Sequence, residues 1–388
     1  MKLVKTEITE VADNRKRITG FVQYNDGYID EYWYEYPAYF EISDTGNPWL
    51  AALLPMAATI NEDLEISLPV DQRLLDGAND IMRFWHSWDK GTFIVKLKAD
   101  NIAKAGDKNS KEAASFFSSG VDAFYTAYNK PRSSNKILIH GFDLSVSKEA
   151  EFEAHLNRIS GVVEKLGEEL VFVKTNIRQT RWKQTRWQAI SHGAALASIA
   201  LLFEKHFSEI FIPSSMGDYS DLYCWGSHPL TDPLFSTSTT NIITDGDGLS
   251  RLDKIKFLAG YDYALRHLHV CIRGKDGTGQ DEVNCSHCEK CYRTMIALEL
   301  AGCLEKCDLF DMEKFNYEEI PYMFVTDAFT APEYHEMAEE ALRQNNPELA
   351  TAIYKAIRRS KLIIRLGFLK KVPFLWYIPH KMMENSIY

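Results

Sequence analysis

Long apolar runs are missing from this sequence. It has no stretch of about 18 uncharged apolar residues, which is roughly what a membrane-spanning helix requires. Residues 1–7 already carry two lysines and a glutamate, and no apolar segment of signal-peptide length follows them. We therefore expect a cytoplasmic protein without a membrane-spanning helix.

An excess of positive charge is also missing. The 388 residues include 44 Lys and Arg against 54 Asp and Glu, a net charge of −10. Extensive binding to nucleic acid is not expected, because it relies on clustered cations that displace the counterions of the phosphates. The hydrophobic fraction of 45% is typical of a globular protein with a substantial core, and the length favours two domains as a first estimate.

Cysteine is scarce, and its distribution is uneven. Three of the seven cysteines fall within Cys285–Cys291, which reads CSHCEKC, and Cys271 precedes them by 14 residues. In a cytoplasmic protein such spacing indicates metal ligation rather than disulfides. Four thiolates close a tetrahedral shell and leave no position for water, so the predicted zinc is structural. The predicted zinc ligands are Cys271, Cys285, Cys288 and Cys291.

Two other metal arrangements fit this pattern less well. An iron–sulfur cluster of the ferredoxin kind needs a further cysteine soon after the run, and residues 292–302 contain none. His287 could replace a cysteine, but within so tight a run we expect it to face solvent. Cys303 and Cys307 are interpreted as core thiols, and Cys224 has no partner pattern.

The N-terminal part, residues 1–105, is predicted to be an α+β domain. Asp26-Gly27 separates two β-like runs, which indicates a hairpin. The remaining elements predicted here are helices from Asn47 and over 74–88, and strands over 64–68 and 92–97. Residues 100–112 are polar and are predicted to be a linker.

Strand and helix patterns alternate after the linker. Repeated βα units indicate a parallel, doubly wound α/β sheet with helices on both faces. The predicted strands are 113–117, 137–140, 170–174, 209–212 and 267–272, and the predicted helices are 121–128, 148–166, 187–203 and 252–260. Ligands of such sheets bind beyond the carboxyl ends of the strands. That edge would bring together Ser118–Asp122, His140–Asp143, Thr175–Arg178 and Pro213–Asp221.

Several polar residues of this edge are candidates for function. Arg178 belongs to a basic run after the third strand and suits a phosphate or a carboxylate, although a solvated loop would look the same. Asp218 lies in a long polar loop and is the best candidate to position a substrate or a metal. His192 is expected to be a packed core histidine rather than a base.

The turn after the first of these strands could hold a phosphate. Ser118-Ser119-Gly120 is small and polar, and a helix is predicted to begin at Val121. Strand, turn and helix in this order direct backbone N–H groups and a positive helix end at an anion. An ordinary βα turn that needs small residues is the alternative.

The last part of the chain, residues 304–388, is predicted to be helical. Residues 358–381 mix apolar side chains with seven Lys and Arg. This segment fits either a peripheral contact with anionic lipid or packing against protein with its charges in water.

These motifs together resemble a known family. Ser118-Ser119-Gly120-Val121-Asp122-Ala123 resembles the SGGxDS loop of the PP-loop (N-type) ATP pyrophosphatase superfamily. The cysteine pattern is similar to the zinc knuckle of the 7-cyano-7-deazaguanine synthases in that superfamily, and Met216–Ser220 resembles another of their loops. The resemblance covers about 113–302. It implies a HUP-like (adenine-nucleotide α-hydrolase-like) domain over 113–303, between an N-terminal domain (1–105) and a helical extension (304–388).

The resemblance also implies a reaction. ATP and Mg²⁺ would bind, a carboxylate or carbonyl substrate would attack the α-phosphorus, and pyrophosphate would leave. A nitrogen nucleophile such as ammonia would then take the adenylated group, as in an AMP-forming ligase. Expected partners are a small-molecule or macromolecular carboxylate and a second copy of the chain in a homodimer.

The resemblance assigns roles to residues at the carboxyl ends of the predicted strands. The N–H groups of Ser119, Gly120 and Val121 would stabilise the departing pyrophosphate. The side chain of Ser118 would donate a hydrogen bond, and Asp122 would orient Mg²⁺. Adenine and ribose would sit at His140, Gly141 and Phe142. The predicted catalytic residues are Asp122, Asp218 and Arg178.

The loop departs from the family pattern at two positions. Ser119 replaces a glycine, and Ala123 replaces the final serine and removes a phosphate ligand. A lost hydrogen bond costs about 1 kcal/mol, and more when the acceptor is charged. Two alternatives therefore stay open: a nucleotide-binding subunit without turnover, and a sulfur-transferring relative that would use Cys224.

Overall fold

The structure is a computed structural model. It describes residues 1–103, 112–215, 217, 223–271, 284–325, 327–367, 381–383, 386 and 387. The described chain is α/β and forms two compact units. The first unit comprises 1–118 and 126–247, and the second comprises 119–125 and 248–388.

The first unit contains a ten-stranded sheet with the strand order β10-β9-β6-β7-β8-β3-β2-β1-β4-β5. Its strands are β1 (Lys2–Val11), β2 (Arg15–Gln23), β3 (Ile29–Pro37), β4 (Leu64–Ile66), β5 (Leu97–Ala99), β6 (Glu112–Phe116), β7 (Asn135–His140), β8 (Glu169–Thr175), β9 (Phe207–Pro213) and β10 (Asn241–Asp245). Strands β10 to β8 pair in parallel, as do β1, β4 and β5. The pairs between β8 and β1 are antiparallel. Six of the nine strand pairs are therefore parallel, and the sheet is mostly parallel.

Helices pack around this sheet and extend through the second unit. The first part of the chain contributes α1 (Asn47–Ile60), α2 (Gln72–Trp88), α3 (Val121–Asn129), α4 (Glu149–Lys165) and α5 (His192–Leu202). The second unit contains α6 (Arg251–Leu258), α7 (Asp262–Arg266), α8 (Glu289–Leu300), α9 (Asp327–Arg343) and α10 (Pro347–Leu366). Among the described helices, none combines the length and the apolarity needed to cross a membrane.

The N-terminal hairpin is confirmed. Gly27 has a φ of +84° in the turn, and β2 and β3 pair antiparallel on either side of it. The other edge of β3 pairs with β8 at Tyr34 and Glu35, so the N-terminal strands continue the sheet of the βα units. A hairpin docked edge to edge in this way shares the sheet instead of folding apart. The domain boundaries at 105 and 303 stay predictions.

The predicted strand over 267–272 is wrong for the residues described. Helix α7 ends at Arg266, and Leu268–Cys271 belongs to no strand. The side-chain oxygen of Asn284 accepts hydrogen bonds from the N–H groups of Val270 and Cys271. A side chain thus satisfies the donors that a neighbouring strand would otherwise have taken.

The sequence patterns did not predict two of the strands. β1 is mostly exposed and charged, and β10 lies inside the polar segment that was interpreted as a loop. The strand predicted over 92–97 is found at Leu97–Ala99. Most of the predicted linker, 104–111, and residues 368–380 of the basic C-terminal segment lie outside the described residues. The membrane or protein contact of that segment stays a prediction.

Candidate functional site

The carboxyl ends of four parallel strands meet at one edge of the sheet in the first unit. Ser118 follows β6 and is exposed, and His140 ends β7. Arg178 follows β8, and Ser214 follows β9. Asp218 lies outside the described residues.

His140 is a packed side chain at this edge. It is buried, its ring stacks on Phe152 with centroids 4.0 Å apart, and its Nε2 lies 3.0 Å from the carbonyl oxygen of Ser145. Burial lowers the pKa of His140, and the Ser145 carbonyl opposes that shift only in part. The ring is therefore neutral near pH 7, and it shapes the turn without adding charge.

Gly141 fixes the turn that follows β7. Its φ is +115°, and a Cβ there would lie 1.9 Å from the carbonyl oxygen of Thr175 in β8. No side chain fits this approach, so the backbone of the turn stays close to β8. Phe142, the next residue, packs edge-on against Trp187 at 5.0 Å.

Arg178 joins this turn. Its guanidinium lies over the Trp187 ring, 4.3 Å from the centroid, and donates a hydrogen bond to the carbonyl oxygen of Phe142. Burial lowers the pKa of Arg178 from its ordinary value, although an arginine stays charged at every physiological pH. The structure thus brings together two of the predicted elements, the His140–Phe142 turn and Arg178.

Three other polar residues of the basic segment after β8 have structural partners. Asn176 accepts from the N–H of Trp33. Arg181 pairs with Asp26 at 2.7 Å, and Arg186 pairs with Asp89. Of this run, the contacts single out Arg178 as the cation held at the edge of the sheet.

Two groups, one in α5 and one close to it, have strongly shifted pKa values. Burial lowers the pKa of His192 to about 4, and its Nδ1 lies 3.0 Å from the carbonyl oxygen of Trp187. Burial raises the pKa of Asp232 to about 7, although Ser227 donates a hydrogen bond to it. His192 is therefore a neutral packed histidine, as the sequence indicated.

The small polar turn has an unusual backbone and an unusual side chain. Ser119 has a φ of +56°, in the left-handed region. Its carbonyl oxygen accepts a hydrogen bond of 2.9 Å from the N–H of His269. Its hydroxyl is buried and has no hydrogen-bond partner among the described residues. Left-handed residues next to helical ones form the concave arrays of N–H groups that bind anions.

Asp122 lies in the first turn of α3 and contacts two cations of α6. Lys254 Nζ lies 2.9 Å from Oδ1, and Arg251 Nη2 lies 3.8 Å from Oδ2. Burial raises the pKa of Asp122, but Lys254 and Arg251 outweigh burial and hold it below its usual value. The carboxylate is therefore ionised at neutral pH.

Sequence reasoning missed Arg251 and Lys254. The side chain of Lys254 is 1% exposed and that of Arg251 is 7% exposed. Both stand in the first turn of α6, where the helix dipole disfavours cations. The sequence shows only two cations in the first turn of a predicted helix, and their burial and their acidic partner become visible only in the fold.

The four predicted zinc ligands form a cluster. Their sulfur atoms all lie within 4.8 Å of one another. Cys271 and Cys288 are 3.9 Å apart, and Cys285 and Cys291 are 3.8 Å apart. A Zn–S bond of about 2.3 Å in a regular tetrahedron requires sulfur atoms about 3.8 Å apart. The cluster therefore has the composition and dimensions that fit zinc.

The surrounding chain holds the cluster in place. Asn284 binds the strand-like segment before Cys271, and its amide also donates to the carbonyl oxygen of Leu268. Cys288 is the N-cap of α8, so the positive helix end lies beside the thiolates. His287 is 59% exposed, and the metal-competent group consists of the four cysteines without it.

The remaining cysteines differ from the cluster. Cys303 and Cys307 are buried, and burial raises the pKa values of their thiols to about 11 and about 12. Cys224 donates to the carbonyl oxygen of Ala189, and burial raises the pKa of its thiol as well. None of these three has the lowered pKa of a reactive thiol.

The cluster is connected to the small polar turn through the backbone. His269, whose N–H binds the Ser119 carbonyl, is only two residues before Cys271. A metal that fixes Cys271 therefore also restrains the conformation of Ser119.

Comparison with known proteins adds no relative to this picture: no family model, curated protein or solved structure matches the chain.

Proposed function

We propose that this protein is an ATP-dependent, AMP-forming enzyme of the ATP pyrophosphatase type. The observation that supports this most is the Ser118–Asp122 turn. It connects a central parallel strand to a helix, contains a left-handed Ser119, and ends at a carboxylate beside two buried cations. Such a turn offers backbone donors, a helix end and positive charge to one phosphate chain.

The proposal includes a HUP-like sheet and a division of labour among the residues. The N–H groups of Ser119, Gly120 and Val121 bind the pyrophosphate portion of ATP, and Ser118 adds a hydroxyl. Asp122 orients Mg²⁺ that arrives with ATP. The His140–Phe142 turn receives adenine and ribose, and Arg178 binds phosphate or the substrate carboxylate.

The reaction follows from these positions. A carboxylate or carbonyl oxygen of the substrate attacks the α-phosphorus, the bond to the bridging oxygen breaks, and pyrophosphate leaves with its charge balanced by the N–H groups. A nitrogen nucleophile then displaces AMP from the adenylate. Asp218 keeps its proposed role in positioning the substrate. Zinc bound to the four cysteines would be structural, because the thiolates fill its coordination shell.

Product analysis tests the proposal. ATP should yield AMP and pyrophosphate, rather than ADP and phosphate, when the purified protein is given a metabolite extract that contains carboxylates. Asp122→Ala should lower the rate at least about 100-fold, whereas Asp308→Ala, at an exposed position of the second unit, should not. If the wild-type protein neither binds ATP nor releases pyrophosphate with any extract, the proposal fails.

A second candidate is a nucleotide-binding subunit that lacks turnover. It is favoured by the ion pair of Asp122 with Lys254, since a carboxylate held at 2.9 Å by an ammonium group is not free to bind a metal. ATP binding by calorimetry without any AMP formation would select this candidate.

Sulfur transfer through Cys224 is the least supported alternative. Its thiol is half-buried and has a raised pKa, which disfavours the thiolate that such chemistry requires. The proposal also includes a cytoplasmic location, a homodimer, and a small-molecule or macromolecular carboxylate as the substrate.

A further inference from the structure

Helix α9 presents three glutamates to α6 within the second unit. Glu333, Glu336 and Glu340 are three and four residues apart, so they share one face of the helix. Glu336 accepts a hydrogen bond of 2.8 Å from the Ser250 hydroxyl, and Glu340 pairs with Lys256 at 2.9 Å. This face therefore docks along α6 from its N-cap to its last turn, and α6 carries the two cations beside Asp122.

Glu333 is the member of this face that reaches the interior. Its Oε2 lies 2.9 Å from Arg293 Nη1 and 3.6 Å from Arg251 Nε, and its side chain is only 13% exposed. Arg293 belongs to α8, the helix that begins at the cysteine cluster, and also pairs with Glu289 at 3.2 Å. One carboxylate thus bridges an arginine of α8 and an arginine of α6.

Arg251 is not saturated by these contacts. It lies between two carboxylates, Asp122 at 3.8 Å and Glu333 at 3.6 Å, and both distances exceed an ordinary hydrogen bond. Its buried Nε has no hydrogen-bond partner among the described residues. A buried guanidinium with an unused donor is suited to a further anionic acceptor, and phosphate is one whose geometry it fits, through two parallel N–H···O bonds.

The ion pairs of this group use three cations and three carboxylates, and Lys290 of α8 is a further cation that acts on the Asp122 carboxylate. Three cations, on Arg251, Lys254 and Arg293, face three carboxylates, on Asp122, Glu289 and Glu333. A polyphosphate that enters beside Asp122 must therefore compete with carboxylates already in place.

We propose that Glu333 is a built-in counter-ion that competes with phosphate for Arg251 and so lowers the affinity of the Ser119–Asp122 turn for a polyphosphate. This inference rests on the proposed function of that turn. It gives the C-terminal helical extension, which lies outside the family resemblance, a role in setting nucleotide affinity. Glu333 would act through Arg251 and would not itself touch the ligand.

The sign of a substitution distinguishes this role from mere structural support. Glu333→Gln keeps the shape of the side chain and removes its charge, so Arg251 and Arg293 lose a shared carboxylate. The unliganded protein becomes less stable, and an incoming anion now relieves part of that cost. Pyrophosphate affinity should therefore rise. The expected gain is about tenfold, for the loss of one unit charge that lies 3.6 Å from Arg251. If Glu333 only supported the fold, affinity would fall or stay the same.

Calorimetric titration of the full chain with inorganic pyrophosphate tests the inference. Glu333→Gln should bind about tenfold more tightly than wild type, and Glu339→Gln, an exposed glutamate of the same helix, should stay within twofold. In an Arg251→Gln background, Glu333→Gln should bring no gain. Glu333→Asp is a second variant, to be used if Glu333→Gln does not fold. It keeps the charge but retracts the carboxylate by one C–C bond, and it should bind pyrophosphate about threefold more tightly than wild type.

The outcomes separate the two proposals. Equal or weaker binding by both Glu333 variants, with wild-type binding intact, overturns the counter-ion role and leaves the phosphate site standing. A gain that persists without Arg251 also overturns it. If neither the wild type nor any variant binds pyrophosphate, the phosphate site and the counter-ion role fall together.

Discussion

Replacing one cluster cysteine should remove zinc and loosen the second unit. Cys271→Ser takes one sulfur from a cluster in which all four lie within 4.8 Å of one another. Cys303→Ser is the matched control, because it makes the same exchange at a buried cysteine outside the cluster. Both variants replace a buried thiol by a hydroxyl, so the free-energy cost of that replacement cancels when the two variants are compared.

The magnitude follows from ligand linkage. A metal present at about 1,000 times its Kd stabilises the folded protein by about 4 kcal/mol. For a unit of 150–250 residues, each kcal/mol shifts Tm by roughly 2–4 °C, so losing the zinc should lower Tm by roughly 8–16 °C. Because Cys271 is two residues from His269, the amides of the Ser119 turn should also exchange faster with solvent in Cys271→Ser.

Elemental analysis, thermal unfolding and hydrogen exchange provide the readouts. We expect one zinc per chain in the wild type and in Cys303→Ser, and substantially less in Cys271→Ser. A chelator should lower the Tm of the first two proteins and leave the third unchanged. The metal-site reasoning is refuted if Cys271→Ser keeps one zinc per chain and has the same Tm as Cys303→Ser.

Two further predictions concern the first unit. Gly141→Ala should destabilise the protein by at least about 2 kcal/mol, because the φ of Gly141 is +115° and the new Cβ would meet the Thr175 carbonyl. Gly161→Ala should instead stabilise it by about 0.5–1 kcal/mol, because Gly161 is helical and has open space where the Cβ would lie. Denaturant unfolding measures both free-energy changes, and equal effects would contradict the steric argument. The pKa of Asp232 is raised to about 7, so the folded state binds the extra proton between pH 4 and pH 7 and stability falls as the pH rises through that window. Asp232→Asn should remove this slope and be more stable than wild type above pH 7, by an amount on the order of 3 kcal/mol; parallel pH dependences of the two proteins would argue against a protonated Asp232.

The sequence predicted the parts of the fold that depend on local pattern. The hairpin around Gly27 has a turn signal between two β-like runs, and the alternation after residue 112 indicated parallel βα units. The cysteine cluster was predictable for a different reason, because its ligands are rare residues at a spacing that few other structures require.

Partners that are distant in sequence were not predictable. Nothing near β3 indicates that Tyr34 and Glu35 pair with β8, since an edge pairing leaves no local pattern. The strand expected before Cys271 was lost to the Asn284 side chain, a contact across 13 residues. Arg251 and Lys254 looked like ordinary helix residues until the fold placed them against Asp122.

The most direct test of the account asks whether a triphosphate binds the backbone of the Ser118–Asp122 turn. Hydrogen exchange should be followed with and without Mg²⁺ and an ATP analogue whose α,β-bridge is a methylene group, so that pyrophosphate cannot leave. We predict that the amides of Ser119, Gly120 and Val121 exchange more slowly in the complex, and that Asp122→Ala abolishes this protection. Tight binding of the analogue with unchanged exchange in the turn, or no binding at all, would contradict the account.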